Sequence, residues 1–390
     1  MHVAINALFW NSLHTGSGQY LRGLVSGLRK IDASIKITLI FPPNSPVQED
    51  VPDGVNVFKA KGLGGQIGKV WFEQCTFPWI AGKLGVDIAH IPYWATPLSS
   101  PVPMVTSVFD VIPLAIADYR RSPASKMYVS LVKASAKKSS QTITISNASK
   151  ADIIKYLGLD AETITPIYLA VADSYTPQTD AVRDMEVKRK YDLPDRFVLY
   201  MGGFDSRKNV DQLLLAYSQI ILNGNKFIPL VIAGHAPKWG KGIFKNLRDF
   251  SKRFADESSV RRIGYVDEAD KPSIYRLARV FVYPSIYEGF GIPLVEAMAC
   301  GCPVIATNRT SIPEVLSDAG VYFDATSVDD LAATLMSICN DDARLEVLRQ
   351  KGLRRAEFFN WEKTAKETLN VYQRALNFAH LSSDAMIGTD

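Results

Sequence analysis

The stretch Tyr283 to Gly301, YPSIYEGFGIPLVEAMACG, decides how the rest of the chain is interpreted. It follows Val280 to Val282, an apolar run that predicts the end of a buried strand. Gly289 and Gly291 allow the backbone to bend there, and Pro293 is typical of the first turn of a helix. The stretch therefore predicts a strand, a glycine-rich turn and a helix N-terminus.

Two carboxylates lie in this stretch, Glu288 in the turn and Glu296 in what is expected to be the first helical turn. The N–H groups and positive dipole end of a helix favour a bound anion such as phosphate. Carboxylates accept hydrogen bonds from hydroxyls. The combination predicts a ligand with phosphate and many hydroxyls, such as a nucleotide sugar.

The composition limits the class of protein. A length of 390 residues favours two domains, and 47% hydrophobic with 22% charged residues is typical of a soluble globular chain. A net charge of +4 does not call for a nucleic-acid partner, and four cysteines fit a reducing compartment. We expect no signal peptide, and no apolar run approaches the ~20 residues of a membrane span.

The first half of the chain alternates strand and helix patterns. Gly16 and Gly18 precede a helical pattern, but Leu21 stands where a dinucleotide motif has its third glycine, so a nicotinamide or flavin site is disfavoured. A loop that admits a phosphate and a plain surface turn both stay open. Asp110 follows the predicted strand 102–108 and needs solvent, a helix cap or a ligand.

A second alternation begins at the strand 197–201. Gly202 and Gly203 form a turn after it, and Arg207 and Lys208 follow. Two cations at the carboxyl end of a strand suit a diphosphate, although such a pair alone is more often surface charge.

Three further segments complete the organisation. Residues 120–138 predict a basic amphipathic helix, which fits either an anionic membrane or a solvated helix face. Residues 173–195 predict the connection between domains, and the tail after about Ala379 is expected to fray. The fold class predicted is α/β, with two Rossmann-like domains facing across an interdomain cleft.

With these residues in place, the chain resembles the retaining GT-B glycosyltransferases of the family-4, or group 1, type. The most specific match is EGFGIPLVE at 288–296, a two-glutamate signature with seven residues between. FVLYMGGFDSRKN at 197–209 also follows the family pattern. The resemblance implies an acceptor-side domain at 1–175 and a nucleotide-sugar domain at 190–365. A helix at 366–390 would pack back toward the first domain.

The resemblance also implies roles for individual residues. Glu288 would contact the donor sugar, and Glu296 the ribose. Arg207 and Lys208 would balance the charge of the diphosphate leaving group. Six further residues are expected to line the donor site: Gly16, Gly18, Gly203, Phe290, Gly291 and Ile292. No metal or other cofactor is expected.

The chain departs from the family at two positions. Gly203 stands where many members have arginine, which places more of the cationic role on Arg207 and Lys208. Phe109 precedes Asp110 where many members have a His-Asp pair, and a phenyl ring cannot hydrogen-bond a sugar. Either Asp110 or another loop supplies that role, or activity is altered.

The resulting hypothesis is retaining transfer of a hexose, with mannose from GDP-mannose as the first guess, to a hydroxyl of a growing or lipid-linked glycan. Surface polysaccharide or glycolipid assembly in the cytoplasm, with peripheral membrane contact, is the expected setting. The alternatives are a nucleotide-sugar epimerase or phosphorylase of the same fold, and a catalytically silent donor-binding partner.

Overall fold

The computed structural model describes residues 1–12, 15–46, 50–116, 123–224, 227–234 and 259–387. The chain divides into two compact units: Met1–Ala170 with Asn360–Asp390, and Val171–Phe359. Both contain a parallel sheet with helices, so the predicted α/β class with two Rossmann-like domains is confirmed. Their placement across a cleft stays a prediction.

The first unit is built on a parallel sheet in which seven strands are described. Short, almost uninterrupted apolar runs form these strands because helices cover both faces of a parallel sheet. The strands are β1 His2–Asn6, β2 Lys36–Phe41, β3 Val55–Lys59, β4 Ile88–Ile91, β5 Met104–Ser107, β6 Gln141–Thr144 and β7 Ile164–Pro166. Their order is β3-β2-β1-β4-β5-β6-β7, with the strand order reversing between β1 and β4.

The helices of the first unit are α1 Gly16–Ile31, α2 Gly65–Trp71, α3 Phe77–Lys83, α4 Ile112–Ala115, α5 Pro123–Ala136, α6 Asn147–Leu157 and α14 Trp361–Ile387. A π-helical segment, Phe72–Thr76, joins α2 to α3 without a break. Residues 120–122 of the predicted basic helix lie outside the described residues, which begin again at Pro123. Helix α14 starts at Trp361, five residues before the predicted 366, and is described to Ile387. The fraying expected after Ala379 stays a prediction.

Helix α14 completes the core of the first unit by packing on α1. A side chain at Gly23 would overlap the Trp361 ring, and one at Gly27 would lie 2.6 Å from the Trp361 carbonyl oxygen. Two glycines one helical turn apart thus allow the two helices to approach closely. At the other end of the contact, Tyr372 of α14 hydrogen-bonds to the buried His90 of β4 at 2.7 Å.

The second unit repeats the plan with six described strands. They are β8 Val198–Met201, β9 Leu230–Ala233, β10 Val260–Gly264, β11 Val280–Tyr283, β12 Val304–Thr307 and β13 Gly320–Phe323. All are parallel in the order β10-β9-β8-β11-β12-β13, the doubly wound order with its reversal between β8 and β11. The described helices are α7 Ala181–Lys190, α8 Val210–Leu222, α9 Lys271–Leu277, α10 Ile292–Ala299, α11 Ile312–Leu316, α12 Val328–Cys339 and α13 Asp342–Ala356.

The predicted connection at 173–195 is part of the second unit rather than a linker. It contains α7, whose Asp184 is buried and bound by Arg276 at 2.5 Å. Lys190 at the end of α7 bonds to Asp270 at 2.7 Å. The scattered charges that suggested a solvated linker are therefore the partners of a helix packed on α9.

Candidate active site

Two loops of the second unit lie side by side at its topological switch point. One follows β8 and covers residues 202–209, and the other follows β11 and covers residues 284–291. Because β8 and β11 are hydrogen-bonded neighbours on either side of the strand reversal, both loops leave the same edge of the sheet. This is the position at which open α/β sheets bind ligands.

The two loops place Arg207, Lys208 and Glu288 in direct contact. Lys208 Nζ donates to Glu288 Oε1 at 2.6 Å, and Arg207 Nη1 donates to Glu288 Oε2 at 2.8 Å. Arg207 Nε also lies 3.1 Å from Asp205 Oδ1, so the four charges sum to zero. The sequence named three of these residues but did not predict that they pair with one another.

The cluster is largely shielded from solvent. Glu288 is 8% exposed and Lys208 is 9% exposed. Burial by itself raises the pKa of Glu288, but the positive charges of Lys208 and Arg207 outweigh it and lower that pKa to about 2. Glu288 is therefore a carboxylate throughout the neutral range, and ionic interactions here are weakly screened.

Charge pairing leaves the cluster able to engage a ligand. A carboxylate has about four lone-pair sites, so Glu288 can accept ligand hydroxyls while it holds both cations. Arg and Lys carry five and three N–H donors in total, which suits diphosphate oxygens. Lys208 is further positioned by Tyr283, whose ring centre lies 5.2 Å from Nζ.

Backbone bonds join the two loops and fix the cluster. The amide of Ile286 donates to the Arg207 carbonyl at 2.8 Å, and Arg207 Nη1 donates back to the Tyr287 carbonyl at 3.1 Å. The position of the guanidinium is thus set by the neighbouring loop as well as by Glu288.

Thr310 and Ser311 hold the glutamate turn from a third loop, after β12, and sequence reasoning missed them. Thr310 Oγ1 accepts from the Glu288 amide at 3.0 Å. Ser311 Oγ, fully buried, lies 3.0 Å from the carbonyl oxygens of both Glu288 and Phe290. Thr310 has φ +48°, a conformation that is unfavourable for a β-branched residue. No local sequence signal marks either residue as part of the site.

The turn enters α10 as predicted. Gly291 has φ +100°, which a side chain disfavours, and Ile292 begins the helix. The peptide groups of Gly291 and Ile292 therefore occupy a helix N-terminus, where N–H groups lack helical partners. The ring of Phe290 is buried against Phe359, with centroids 5.7 Å apart.

Glu296 lies in the second turn of α10, not the first, because the helix starts at Ile292. It is 3% exposed, and Tyr275 donates a hydrogen bond to its Oε2 at 2.8 Å. Burial raises the pKa of Glu296, opposed by the charge of Lys271 and the hydrogen bond from Tyr275.

Gly203 is exposed beside the cluster. Its carbonyl accepts a hydrogen bond from the buried Tyr200 hydroxyl, and an added side chain there would meet only Asp205, at 3.4 Å. The neighbouring turn residue Gly202 has its carbonyl so close to Gly234 that a side chain at 234 would overlap it. That contact explains the glycine at 234. A side chain at Gly202 itself would lie 3.1 Å from the Tyr200 hydroxyl, so the Gly-Gly turn is tight at 202 and open at 203.

Gly16, Gly18 and Asp110 belong to the first unit. A side chain at Gly18 would overlap the Ser12 carbonyl, so packing explains this glycine, whereas a side chain at Gly16 meets nothing within 4 Å. Thr15 caps α1 by accepting from the Gly18 amide at 3.1 Å. Asp110 lies one residue before the N-cap Val111 of α4, and its Oδ1 accepts from the amide of Ile112, the first residue of that helix, at 3.0 Å.

Phe109 packs where the family pattern has histidine. Its ring meets Tyr20 edge to face, with centroids 4.9 Å apart. Tyr20 bonds to Ser107 at 3.0 Å, and Ser107 bonds to His90 Nε2 at 2.9 Å. Burial lowers the pKa of His90 to about 3, so this histidine is neutral and structural.

All four cysteines are free thiols. Cys300 and Cys302 are free and buried, as packing predicts, and burial raises the pKa of the Cys300 thiol to about 12. Over the described ranges, no three His, Cys, Asp or Glu side chains cluster as metal ligands would. In the same part of the chain, no helix combines the length and apolar character needed to cross a membrane.

Two doubly wound units of this kind are the building plan of the GT-B class, and comparison with known proteins identifies the family. The family model of glycosyl transferases group 1 matches residues 183–355, and that of glycosyltransferase family 4 matches residues 14–175. The chain belongs to the group 1 glycosyltransferases and is a transferase, as its signature predicted.

Two relatives from Escherichia coli are named as mannosyltransferases. The chain is 37% identical over 232 residues to the O-antigen chain mannosyltransferase B, covering 59% of this chain and 60% of that protein. It is 27% identical over 270 residues to the serotype-specific mannosyltransferase WbdA, covering 68% of this chain and 33% of that protein. The chain thus spans less than two thirds of the length of these relatives.

Solved structures share the whole fold. A glycosyltransferase from Rickettsia africae superposes with TM-score 0.69 at 17% identity, covering 96% of this chain and 98% of that one. Anabaena HepE, solved in complex with UDP, superposes with TM-score 0.69 at 17% identity, covering 95% of this chain and 99% of that one. The GT-B fold is therefore confirmed.

Proposed function

We propose that the protein transfers mannose from GDP-mannose to a hydroxyl of a growing glycan, with retention of the anomeric configuration, in surface polysaccharide or glycolipid assembly. The observation that carries the proposal is the contact of Arg207 and Lys208 with Glu288 at the switch point. The choice of mannose is supported by the names of the two Escherichia coli relatives.

In this proposal the site acts mainly through electrostatics. As the bond between sugar and diphosphate breaks, negative charge grows on the departing phosphate oxygens. Arg207 and Lys208, already oriented by Glu288, stabilise that charge without rearranging, and the N-terminus of α10 adds its dipole. These two cations occupy the role that a metal ion has in other transferases, so we propose a metal-independent reaction.

Retention follows if the acceptor hydroxyl attacks the face from which the diphosphate leaves. The leaving phosphate then takes the acceptor's proton, and the new glycosidic bond replaces the bond to phosphate. Glu288 would accept hydrogen bonds from the sugar, and Glu296 from the ribose. Asp110 already accepts a backbone hydrogen bond from Ile112 at the start of α4, so its part in the reaction would be secondary.

The first test is a thermal-shift panel of GDP, UDP, ADP and their sugars on the full chain. A ligand at 100 times its Kd stabilises the folded state by about 2.7 kcal/mol. We expect GDP and GDP-mannose to raise the melting temperature most. Preference for UDP would overturn the proposed donor, and no response to any nucleotide would overturn the donor site.

The second test follows the products. GDP-mannose with a mannoside acceptor should yield an α-linked product from the α-linked donor, seen by NMR. Conversion of the donor without any acceptor would instead indicate an epimerase, and donor binding without transfer to any acceptor would indicate a silent donor-binding partner.

A further inference from the structure

Large apolar side chains stand exposed along one continuous helical segment of the first unit, α2 with the π segment and α3. Ile67 is 80% exposed, and Trp71 and Trp79 are each 60% exposed. Cys75, between the tryptophans, is also exposed. We call these four residues the tryptophan row.

The spacing of the row keeps it on one face. Its members are four residues apart, and in an α-helix a four-residue step overshoots a full turn by ~40°. In a π-helix a turn takes more than four residues, so the same step falls short of a full turn. The shortfall in the π segment Phe72–Thr76 therefore offsets the overshoot in the α-helical steps, which keeps Trp71, Cys75 and Trp79 on one face.

The opposite face of the same segment is buried. Phe72, Phe77 and Ile80 lie in the core with β4 and the loop after it. Core packing thus already uses the ordinary apolar face of these helices, and the tryptophan row is a second apolar face. Contiguous exposed apolar surface of this kind indicates a binding surface.

The charges around the row are of one sign. Between residues 59 and 85 the cations are Lys59, Lys61, Lys69 and Lys83, and the one acid is Glu73. Glu73 is 1% exposed and lies 3.7 Å from Lys69, so it offers no negative charge to the surface. Lys83 Nζ lies 5.1 Å above the Trp79 ring, which places a cation at the end of the row.

We propose that the tryptophan row docks this protein on an anionic phospholipid membrane, with its apolar side chains at the level of the headgroups and Lys61 and Lys83 against lipid phosphates. Tryptophan favours this interface because its ring is apolar and its N–H is polar. A basic rim around an apolar face fits a negatively charged membrane better than it fits a second copy of the same basic face.

The basic helix α5, the other candidate for membrane contact, has a different structure. Its apolar Val132 and Ala136 are buried in the core, while Lys133, Lys137 and Lys138, at and just beyond its end, are exposed. Of its described side chains, Met127 is the large apolar one that stands exposed. The described part of α5 thus exposes one large apolar side chain beside its lysines and serves as a basic control surface.

The test is flotation of the full-length protein with vesicles of phosphatidylcholine alone and of phosphatidylcholine with phosphatidylglycerol. Wild type should float with the anionic vesicles. The row variant Ile67→Ser/Trp71→Ser/Trp79→Ser should lower the bound-to-free ratio at least ~10-fold. Lys61→Glu/Lys83→Glu should lower it on anionic vesicles only.

Two controls match these variants. Lys133→Glu/Lys137→Glu/Lys138→Glu changes more charge on α5, and Leu222→Ser/Val347→Ser removes exposed apolar side chains from the second unit. Both should bind like wild type. If the row variant has a lower melting temperature than wild type, quenching of wild-type tryptophan emission by brominated lipid tests the contact between the row and the membrane without mutation.

Equal binding of the row variant and wild type would overturn the proposal, as would loss of binding in the α5 variant alone. The proposal would also be overturned, in favour of self-association, if wild type does not bind vesicles but forms a dimer in sedimentation velocity that the row variant does not form. Vesicle binding needs no sugar donor, so its outcome is independent of the proposed transfer reaction.

Discussion

Replacing Lys208 with methionine isolates the charge of the cluster, because methionine keeps much of the aliphatic chain and removes the ammonium group. The change deletes the 2.6 Å bond to Glu288 and leaves that buried carboxylate with Arg207 as its remaining cation. Hydrogen bonds to charged groups contribute ~1.5–3 kcal/mol, and we expect a loss of stability in that range. Loss of an electrostatic transition-state contact costs ~100–1,000-fold in turnover.

The pKa of Glu288 should rise in this variant, since one of the two charges that lower it is gone. In the wild type the lowered pKa contributes stability that is present above the ordinary value of 4.5 and is lost as pH falls through about 2. In Lys208→Met the interval between the folded and unfolded pKa values is narrower, so the acid-induced loss of stability from this group should be smaller and should end at higher pH. Thermal unfolding followed across acidic pH measures the difference.

The double variant Lys208→Met/Glu288→Gln separates stability from catalysis. Gln removes the uncompensated charge, so the double variant should be more stable than Lys208→Met and yet no faster in transfer from GDP-mannose. Lys351→Met is the matched control because it breaks an exposed pair, Lys351 Nζ to Asp318 Oδ2 at 2.8 Å. It should cost under ~1 kcal/mol and leave turnover unchanged. Turnover of Lys208→Met within ~3-fold of wild type would refute the catalytic role.

Three further predictions concern glycine, a buried hydroxyl and a buried histidine. Gly16→Ala should leave the melting temperature unchanged and, if a diphosphate approaches this loop, weaken GDP binding in calorimetry. Gly18→Ala should lower the melting temperature because its side chain overlaps the backbone. Equal effects of the two variants on the melting temperature would contradict this. Ser311→Ala should cost ~1–3 kcal/mol in denaturant unfolding because it removes the single hydroxyl donor that the Glu288 and Phe290 carbonyl oxygens share, while Ser311→Thr should retain part of that stability. His90 is neutral in the folded state because burial lowers its pKa to about 3. Below pH 6.5 the unfolded chain binds a proton at this position that the folded chain does not, so the free energy of unfolding should fall by up to ~1.4 kcal/mol per pH unit. An unchanged slope of stability against pH in His90→Gln would refute this.

The sequence was sufficient for the local parts of the site. A buried run, a glycine turn and Pro293 specify a strand, a bend and a helix start within one stretch, because each depends on the conformational preferences of neighbouring residues. The same reasoning located both glutamates and the two cations by residue number. It placed Glu296 in the first helical turn, whereas Glu296 is the fifth residue of α10, because helix boundaries depend on the observed cap at Gly291.

The tertiary structure decided which of these residues meet. Lys208 and Glu288 are 80 positions apart, and they pair because β8 and β11 are neighbours at the strand reversal, a long-range choice that no local pattern contains. The same packing brings in Thr310 and Ser311, joins α14 to the first unit through Gly23, and turns Trp71 and Trp79 outward. Local sequence determines strands, turns and helix ends, because these depend on residues adjacent in the chain. Burial and charge pairing depend on residues that only the fold brings together.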